Sequence, residues 1–343
     1  MSNVYFKRVD TKNYKDLSEA ARELLETLVE TEDHKFAKKM PIKVHFGEKG
    51  NVTYVPSDCY LGLIDYLKEN EIESAYIETN VLYRGSRTTA TSHKAIAKEH
   101  GFNQLPVIIA DGEYGEEYVE VPIDKDYIQS CKIGKAFDDY EQVLVVSHFK
   151  GHGMAGFGGA LKQLAMGFGS RGGKLAQHSG IKPFVEAEKC IQCGACIDKC
   201  DVNAIEMIDK AMINAESCVG CAGCIAVCPV GAIKNDWNGR NFKEKIAEYA
   251  YGAQLNKDHV YISYLLNITE ECDCMGQAMH PIAKDIGVLA SKDPVALDAA
   301  CLDILQREHG SMIFESGRAS IVHGVKIGLG SDQYELIELL GNK

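Results

Sequence analysis

The feature that most constrains this chain is an internal repeat of cysteines. CIQCGACIDKCDVNAIEM (Cys190–Met207) aligns without a gap on CVGCAGCIAVCPVGAIKN (Cys218–Asn235), 28 residues further on. Cys190, Cys193, Cys196 and Cys200 fall on Cys218, Cys221, Cys224 and Cys228, and Ile197, Val202, Ala204 and Ile205 fall on Ile225, Val230, Ala232 and Ile233. The chain has 13 cysteines, so these eight leave only Cys59, Cys131, Cys272, Cys274 and Cys301. The N-terminal MSNVYFKRVD lacks the basic start and apolar stretch of a secretory signal. The expected compartment is therefore the cytoplasm, where thiols stay reduced and a dense cysteine cluster serves metal binding rather than disulfides.

Each copy has the C-x2-C-x2-C-x3-C spacing that holds cubane iron–sulfur clusters, in which the fourth cysteine of one run ligates the other cluster. The crossed assignment gives Cys190, Cys193, Cys196 and Cys228 to one 4Fe-4S cluster and Cys218, Cys221, Cys224 and Cys200 to a second. Gly194, Ala195, Gly220, Ala222 and Gly223 let the backbone wrap closely and aim amides at sulfur. The competing assignment is a pair of zinc knuckles, but these use two C-x2-C pairs with a longer spacer. The block resembles a bacterial-type ferredoxin over about 45 residues. One departure is Asp201, which stands where the second copy has Pro229; a carboxylate there would lower a neighbouring cluster's potential, because reduction adds negative charge.

The flanking sequence is patterned as α/β. VTYV (Val52–Val55), SAYIETN (Ser74–Asn80), LPVIIAD and YVEVPI (Tyr118–Ile123) read as strands, and Leu61–Asn70 and Ser92–Phe102 as helices. QVLVVSHF (Gln142–Phe149) and HVYISYLLNI (His259–Ile268) are continuous apolar runs suited to buried strands, with Asn241–Asn256 helical between them. A strand, turn and helix follow in GVLASKDPVALDAACLDILQREHG, with Asp293 as N-cap, Pro294 as first helical residue and Gly310 as stop. The expected fold is α/β: a mostly parallel sheet with flanking helices, plus an inserted small α+β ferredoxin-like domain. The boundaries place the α/β domain at 1–184 and 235–343 and the insert at 185–234. Two separate α/β domains flanking the block are the alternative.

Between strand and insert lies KGHGMAGFGGALKQLAMGFGSRGGK (Lys150–Lys174). Gly151, Gly153 and Gly156 satisfy G-x-G-x-x-G after a strand, as a dinucleotide site requires, but no second strand ending in an acid follows. A looser reading is cofactor or anion binding by close backbone approach, helped by Lys150, Lys162, Arg171 and Lys174. Glycines that merely let a helix pack closely are the plain alternative. His148 and His152 end the preceding strand, where open α/β sheets place their sites.

Cys272 and Cys274 are two apart, so both sulfurs can face one ligand. They could hold a metal with His148, His152 or His280, act as a redox thiol pair, or simply be buried; a disulfide over so short a span is expected to be strained. Burial is expected for Cys59, Cys131 and Cys301. Asp298 and Asp303 belong to a solvated helix face and receive no role.

NVLYRGSRTTATSHKAIAKEHGF, the glycine-rich stretch, and CDCMGQAMHPIAKDIGVLASKDPVALDAA together resemble the domain-of-unknown-function 362 family, in the subgroup with an inserted pair of ferredoxin motifs. The resemblance implies an α/β domain with an electron-transfer insert and supplies no reaction. It directs attention to Arg84, Arg87, His93, Lys150, His152, Cys272 and Cys274.

The formal charge of −12 argues against non-specific nucleic-acid binding, and no apolar run is long enough for a membrane span. The function expected is an iron–sulfur electron-transfer protein, an oxidoreductase passing electrons between a redox partner protein and a site in the α/β domain. Lys150, His152, Cys272 and Cys274 are the candidate catalytic residues, Gly151, Gly153 and Gly156 the candidate cofactor contacts, and an anionic small molecule the expected substrate. A further metal or organic cofactor is left open. The alternative is a non-catalytic electron carrier or a metal-binding or maturation factor.

Overall fold

The computed structural model describes residues 1–9, 13–179, 182–237 and 239–340, so the last three residues of the 235–343 segment lie outside the described residues. Eight strands form one sheet: β1 (Ser2–Arg8), β2 (Ile42–Lys43), β3 (Tyr76–Glu78), β4 (Val107–Ile109), β5 (Leu144–His148), β6 (Val260–Leu265), β7 (Gly287–Ser291) and β8 (Tyr334–Glu338). Their spatial order is β8-β1-β7-β6-β5-β2-β3-β4. Every pairing is parallel except those of β7, which runs antiparallel to both β1 and β6. Strands from both sides of the cysteine block thus share one sheet, joined where β5 pairs with β6 in the register Val146 to Ile262.

The two-residue strand period divides the core. Leu144, Val146, Val260, Ile262 and Tyr264 face α1 (Tyr14–Thr31), α2 (Leu61–Glu69) and α3 (Ala90–Glu99), meeting Leu24, Leu28, Leu63 and Ala97. Val143, Val145, Tyr261 and Leu289 face the opposite layer of α4 (Ala160–Phe168), α8 (Phe242–Gln254), α9 (Pro294–His309) and α10 (Arg318–Lys326); the short helices numbered between are α5 (Arg171–His178), α6 (Ala195–Asp198) and α7 (Gly223–Val227). Burial on both faces is why β5 and β6 are mostly apolar, with Ser147, His148 and Ser263 the exceptions. In α9 the Asp293 side chain accepts from the amides of Val295 and Ala296, Pro294 follows, and Gly310 ends the helix in the left-handed region.

Two sequence expectations need correction. Val52–Val55 is not a strand: the Asn51 side chain accepts from the amides of Thr53 and Tyr54, folding the segment into a turn ahead of Pro56. Asp298 is fully buried rather than solvated, and its carboxylate accepts from the amides of Ala160 and Leu161 at the start of α4. Asp303 on the same helix is exposed, as expected. Cys59, Cys131 and Cys301 are all buried.

The cysteine block forms its own small core around Cys190, Cys196, Cys228, Ile205 and Ile233. Phe184–Val185 pairs antiparallel with Ile233–Lys234, so the chain enters and leaves the block at neighbouring points. The repeat is preserved in the backbone. Gln192 and Gly220, Gly194 and Ala222, and Asn203 and Gly231 are three equivalent pairs, and all six residues have positive φ. Ala204 and Ala232 each donate an amide to the sulfur of the cysteine four residues earlier, at 3.2 Å in both copies.

Candidate functional site

At the C-terminal edge of the parallel strands lies a cavity of about 390 Å3. Its walls come from the ends of β2, β3 and β5 (His45, Glu78, His148), from α4 (Lys162), and from the loop after β6 (Cys272 to Met275). Charged residues inside buried strands are the means by which the sheet delivers polar groups to this edge. Lys43 and Glu78 meet at 2.8 Å with both side chains buried. Burial lowers the Lys43 proton affinity, and the Glu78 carboxylate works against that.

Asp273 is the second buried anchor. Its carboxylate is 2.9 Å from the Lys150 ammonium and 2.9 Å from His148 Nδ1. Burial alone would raise its pKa, but the His148 and Lys150 charges outweigh that and hold it well below the usual carboxylate range. The other His148 nitrogen lies 2.6 Å from the Leu266 carbonyl, so both ring nitrogens face acceptors and neither is directed at a ligand. A third anchor is Arg87, which is fully buried, donates to the Tyr83 hydroxyl at 2.6 Å and lies 3.4 Å from the Glu48 carboxylate. It also approaches His45 Nε2 at 3.0 Å, and burial together with the Arg87 charge keeps His45 neutral.

Two lysines of the cavity lining have no carboxylate within ion-pair distance among the described residues. Lys174 donates to Thr79 Oγ1 at 2.6 Å and to the Gly169 carbonyl at 2.7 Å, neither an anion. Lys162 has no hydrogen-bond or ion-pair partner among the described residues. Burial first, and the neighbouring Lys150 charge second, lower its pKa to about 7.

The structure brings Lys150, His152, Cys272 and Cys274 to this one cavity, together with Gly153. Cys272 and Cys274 are joined as a disulfide, contrary to the expectation of separate thiols: the chain turns at the anchored Asp273 and sets the two Cα atoms 5.3 Å apart, within the normal span of a bridge. His152 and the two sulfurs place their ligand atoms within 4.8 Å of one another. His148 is spoken for by Asp273, and His280 is exposed outside the cavity lining. Arg84 is exposed beside Gly231 of the cysteine block, and His93 is buried against Phe46.

The glycines do not form a strand-to-helix phosphate loop. Lys150–His152 and Gly156–Gly158 pair as an antiparallel hairpin. A Cβ on Gly151 would lie 2.0 Å from the Glu270 carbonyl oxygen, and one on Gly156, whose φ is +86°, would lie 2.2 Å from the Gly317 nitrogen. Close backbone packing is what these two positions require. The amides at the start of α4 are taken by Asp298, whose own burial raises its pKa to about 7.

Sequence reasoning missed Lys43, His45, Glu78, Asp273 and His178 in the cavity region. The available signal was a charged residue within an apolar strand, as in IKV and YIE, and the carboxylate between the two cysteines.

The cysteine block packs against the cavity wall. Its Cys218–Cys224 loop rests on α5: Ala222 joins Leu82 and Leu175 in one apolar cluster, and Leu82 lines the cavity. Lys132 donates to the Val219 carbonyl at 2.6 Å, and Lys199 pairs with Glu116 at 2.9 Å. In the block, Cys190, Cys193, Cys196 and Cys228 line one small pocket. Burial and then the charges of Cys221 and Cys218 raise the Cys224 thiol to about 12. So many close sulfurs repel one another as thiolates unless a cation holds them.

Fold and site therefore define an α/β protein with a cationic cavity at its sheet edge and a cysteine-rich segment against the cavity wall. A family model described as Domain of unknown function (DUF362) matches residues 41–303, and the chain belongs to that family. No curated protein matches the sequence. Similar solved structures include a protein from Thermotoga maritima, with a TM-score of 0.44 and 10% identity over 93% of this chain and 60% of that one. Another is the lactate racemase apoprotein from Thermoanaerobacterium thermosaccharolyticum, with a TM-score of 0.43 and 12% identity over 89% of this chain and 58% of that one. This chain thus spans about 60% of the length of either.

Proposed function

We propose that residues 185–234 are a ferredoxin-like domain inserted into the α/β domain of 1–184 and 235–343. In this reading Cys190, Cys193, Cys196 and Cys228 hold one 4Fe-4S cluster, and Cys218, Cys221, Cys224 and Cys200 hold the other. The pocket shared by the first four sulfurs supports the crossed assignment, since Cys228 comes from the other copy. Clusters bound there would supply one-electron transfer.

The protein is then an oxidoreductase acting on an anionic small molecule in the cavity, with a redox protein as its partner. The observation that carries this is the apolar cluster that Ala222, in the Cys218–Cys224 loop, forms with Leu175 and with Leu82 of the cavity wall. It gives the second ligand set a short route to the cavity, while Cys193 of the first is exposed toward a partner. Lys150 and His148 hold Asp273 and so orient the cysteine loop, Lys162 binds the anion, and His152 lies beside the sulfurs.

The test is redox titration of the anaerobically purified protein followed by electron paramagnetic resonance, with and without a small dicarboxylate. The expected result is a changed signal or midpoint for one cluster, lost in Lys162→Met. No change in either cluster with the cavity occupied would refute the coupling. A second reading, a metal-binding or maturation factor, draws on the grouping of His152, Cys272 and Cys274. It predicts a non-iron metal that disappears in the Cys272→Ala, Cys274→Ala double variant.

A further inference from the structure

The loop carrying Cys272 and Cys274 is anchored between the two cysteines and just after them. The Asp273 carboxylate is held by His148 and Lys150, and its carbonyl accepts from the Glu48 amide at 2.9 Å. The Asn51 side chain donates to the Met275 carbonyl at 3.1 Å, and the Met275 amide donates to the Cys272 carbonyl at 3.0 Å. These bonds fix the backbone that carries the two sulfurs. The Cys274 amide also points at the Cys272 sulfur, 3.4 Å away, where it would support a thiolate.

The tautomer of His152 separates the two kinds of chemistry open to this group. The Ala155 amide donates to His152 Nδ1 at 3.1 Å, so Nδ1 presents its lone pair to that bond. In a neutral imidazole the hydrogen must then sit on Nε2. One ring nitrogen is occupied and the other is a donor, so neither offers a lone pair to a metal. A His152 ring nitrogen lies within 4.8 Å of both sulfurs, and an N–H there would stabilise thiolate charge. The lining also includes the unpaired ammonium of Lys162, which adds to the positive potential around the sulfurs.

We infer that Cys272 and Cys274 are a redox-active pair, cycling between disulfide and dithiol within the cavity, with His152 as the hydrogen-bond donor to the reduced form. This deepens the oxidoreductase reading and rests on it for the physiological source of electrons. In reduction the S–S bond breaks, two electrons enter the two sulfurs, one proton from cavity water completes a thiol, and the other sulfur remains a thiolate beside the His152 N–H. The reductant is a low-potential donor of the iron–sulfur or dithiol class; in the reverse step the pair is oxidised by a disulfide, which leaves as a dithiol.

The experiment equilibrates the anaerobically purified, metal-loaded protein in mixtures of reduced and oxidised dithiothreitol at stepped ratios. Each sample is quenched in acid and alkylated, and the peptide containing both cysteines is weighed by mass spectrometry. The expected result is one transition, from a bridged peptide to a doubly alkylated one, following a two-electron curve. His152→Phe, which removes the donor, should shift the midpoint toward the disulfide by about tenfold or more in the dithiol ratio. A peptide alkylated twice at every ratio, or bridged at every ratio, would overturn the inference, and so would a metal released only when both cysteines are replaced. Iron measured on the same samples reads the underlying function separately: a correct iron content with an unchanging peptide refutes the thiol cycle alone.

Discussion

Lys162 shows how one side chain sets the character of the site. Its folded-state pKa of about 7 lies below its ordinary 10.5, so between those values the unfolded chain binds more protons than the folded one. Stability from this residue therefore rises with pH over that window, and Lys162→Met should flatten the rise in urea unfolding measured from pH 7 to 10. On the proposed reading the same proton governs binding. A small dicarboxylate needs the protonated amine, so its affinity by calorimetry should fall up to tenfold per pH unit above about 7 and lose that dependence in the variant. The lysine was legible as positive charge in an acidic chain; its lack of a partner was not, because that depends on where β3, α4 and the Cys272 loop converge. Asp298 was misjudged for a related reason: on α9 it occupies a place that helical periodicity alone does not distinguish from a wet one, and its partners are the amides of Ala160 and Leu161, far away in sequence.

At the scale of elements, the glycine-rich hairpin and the cysteine repeat make opposite demands on the backbone. Gly151→Ala and Gly156→Ala push a Cβ into neighbouring main chain, and each should lower stability by about 1–3 kcal/mol in chemical denaturation. Gly153→Ala meets nothing nearer than the Glu271 side chain at 3.3 Å and should change stability by less than about 0.5 kcal/mol. A result in which all three cost the same would point to a ligand rather than packing. In the repeat, Cys228→Ser should remove about four irons, those of the set containing Cys190, and leave the set containing Cys200 intact. Strands and helices that carry strong periodicity, such as β5, β6, α8 and α9, were legible from sequence. The turn at Val52–Val55 was not, because the Asn51 side chain captures amides that a β-branched run would otherwise direct into a sheet.

Over the whole molecule, the sequence conveyed an α/β chain interrupted by a cysteine block but not how the two flanks combine. They combine through β5 and β6, neighbours in one sheet although more than a hundred residues apart, so the C-terminal ends of strands from both flanks open on one cavity. Long-range pairing of this kind depends on which apolar runs meet, and periodicity carries no information on that. The same limit hid the placement of the Cys218–Cys224 loop, whose Ala222 shares an apolar cluster with Leu175 and Leu82. On the proposed reading the block carries two clusters that serve that cavity. Iron and acid-labile sulfide measured on anaerobically purified protein test it most directly: about eight of each per chain is the predicted result. About four of each, or zinc in place of iron, would contradict it.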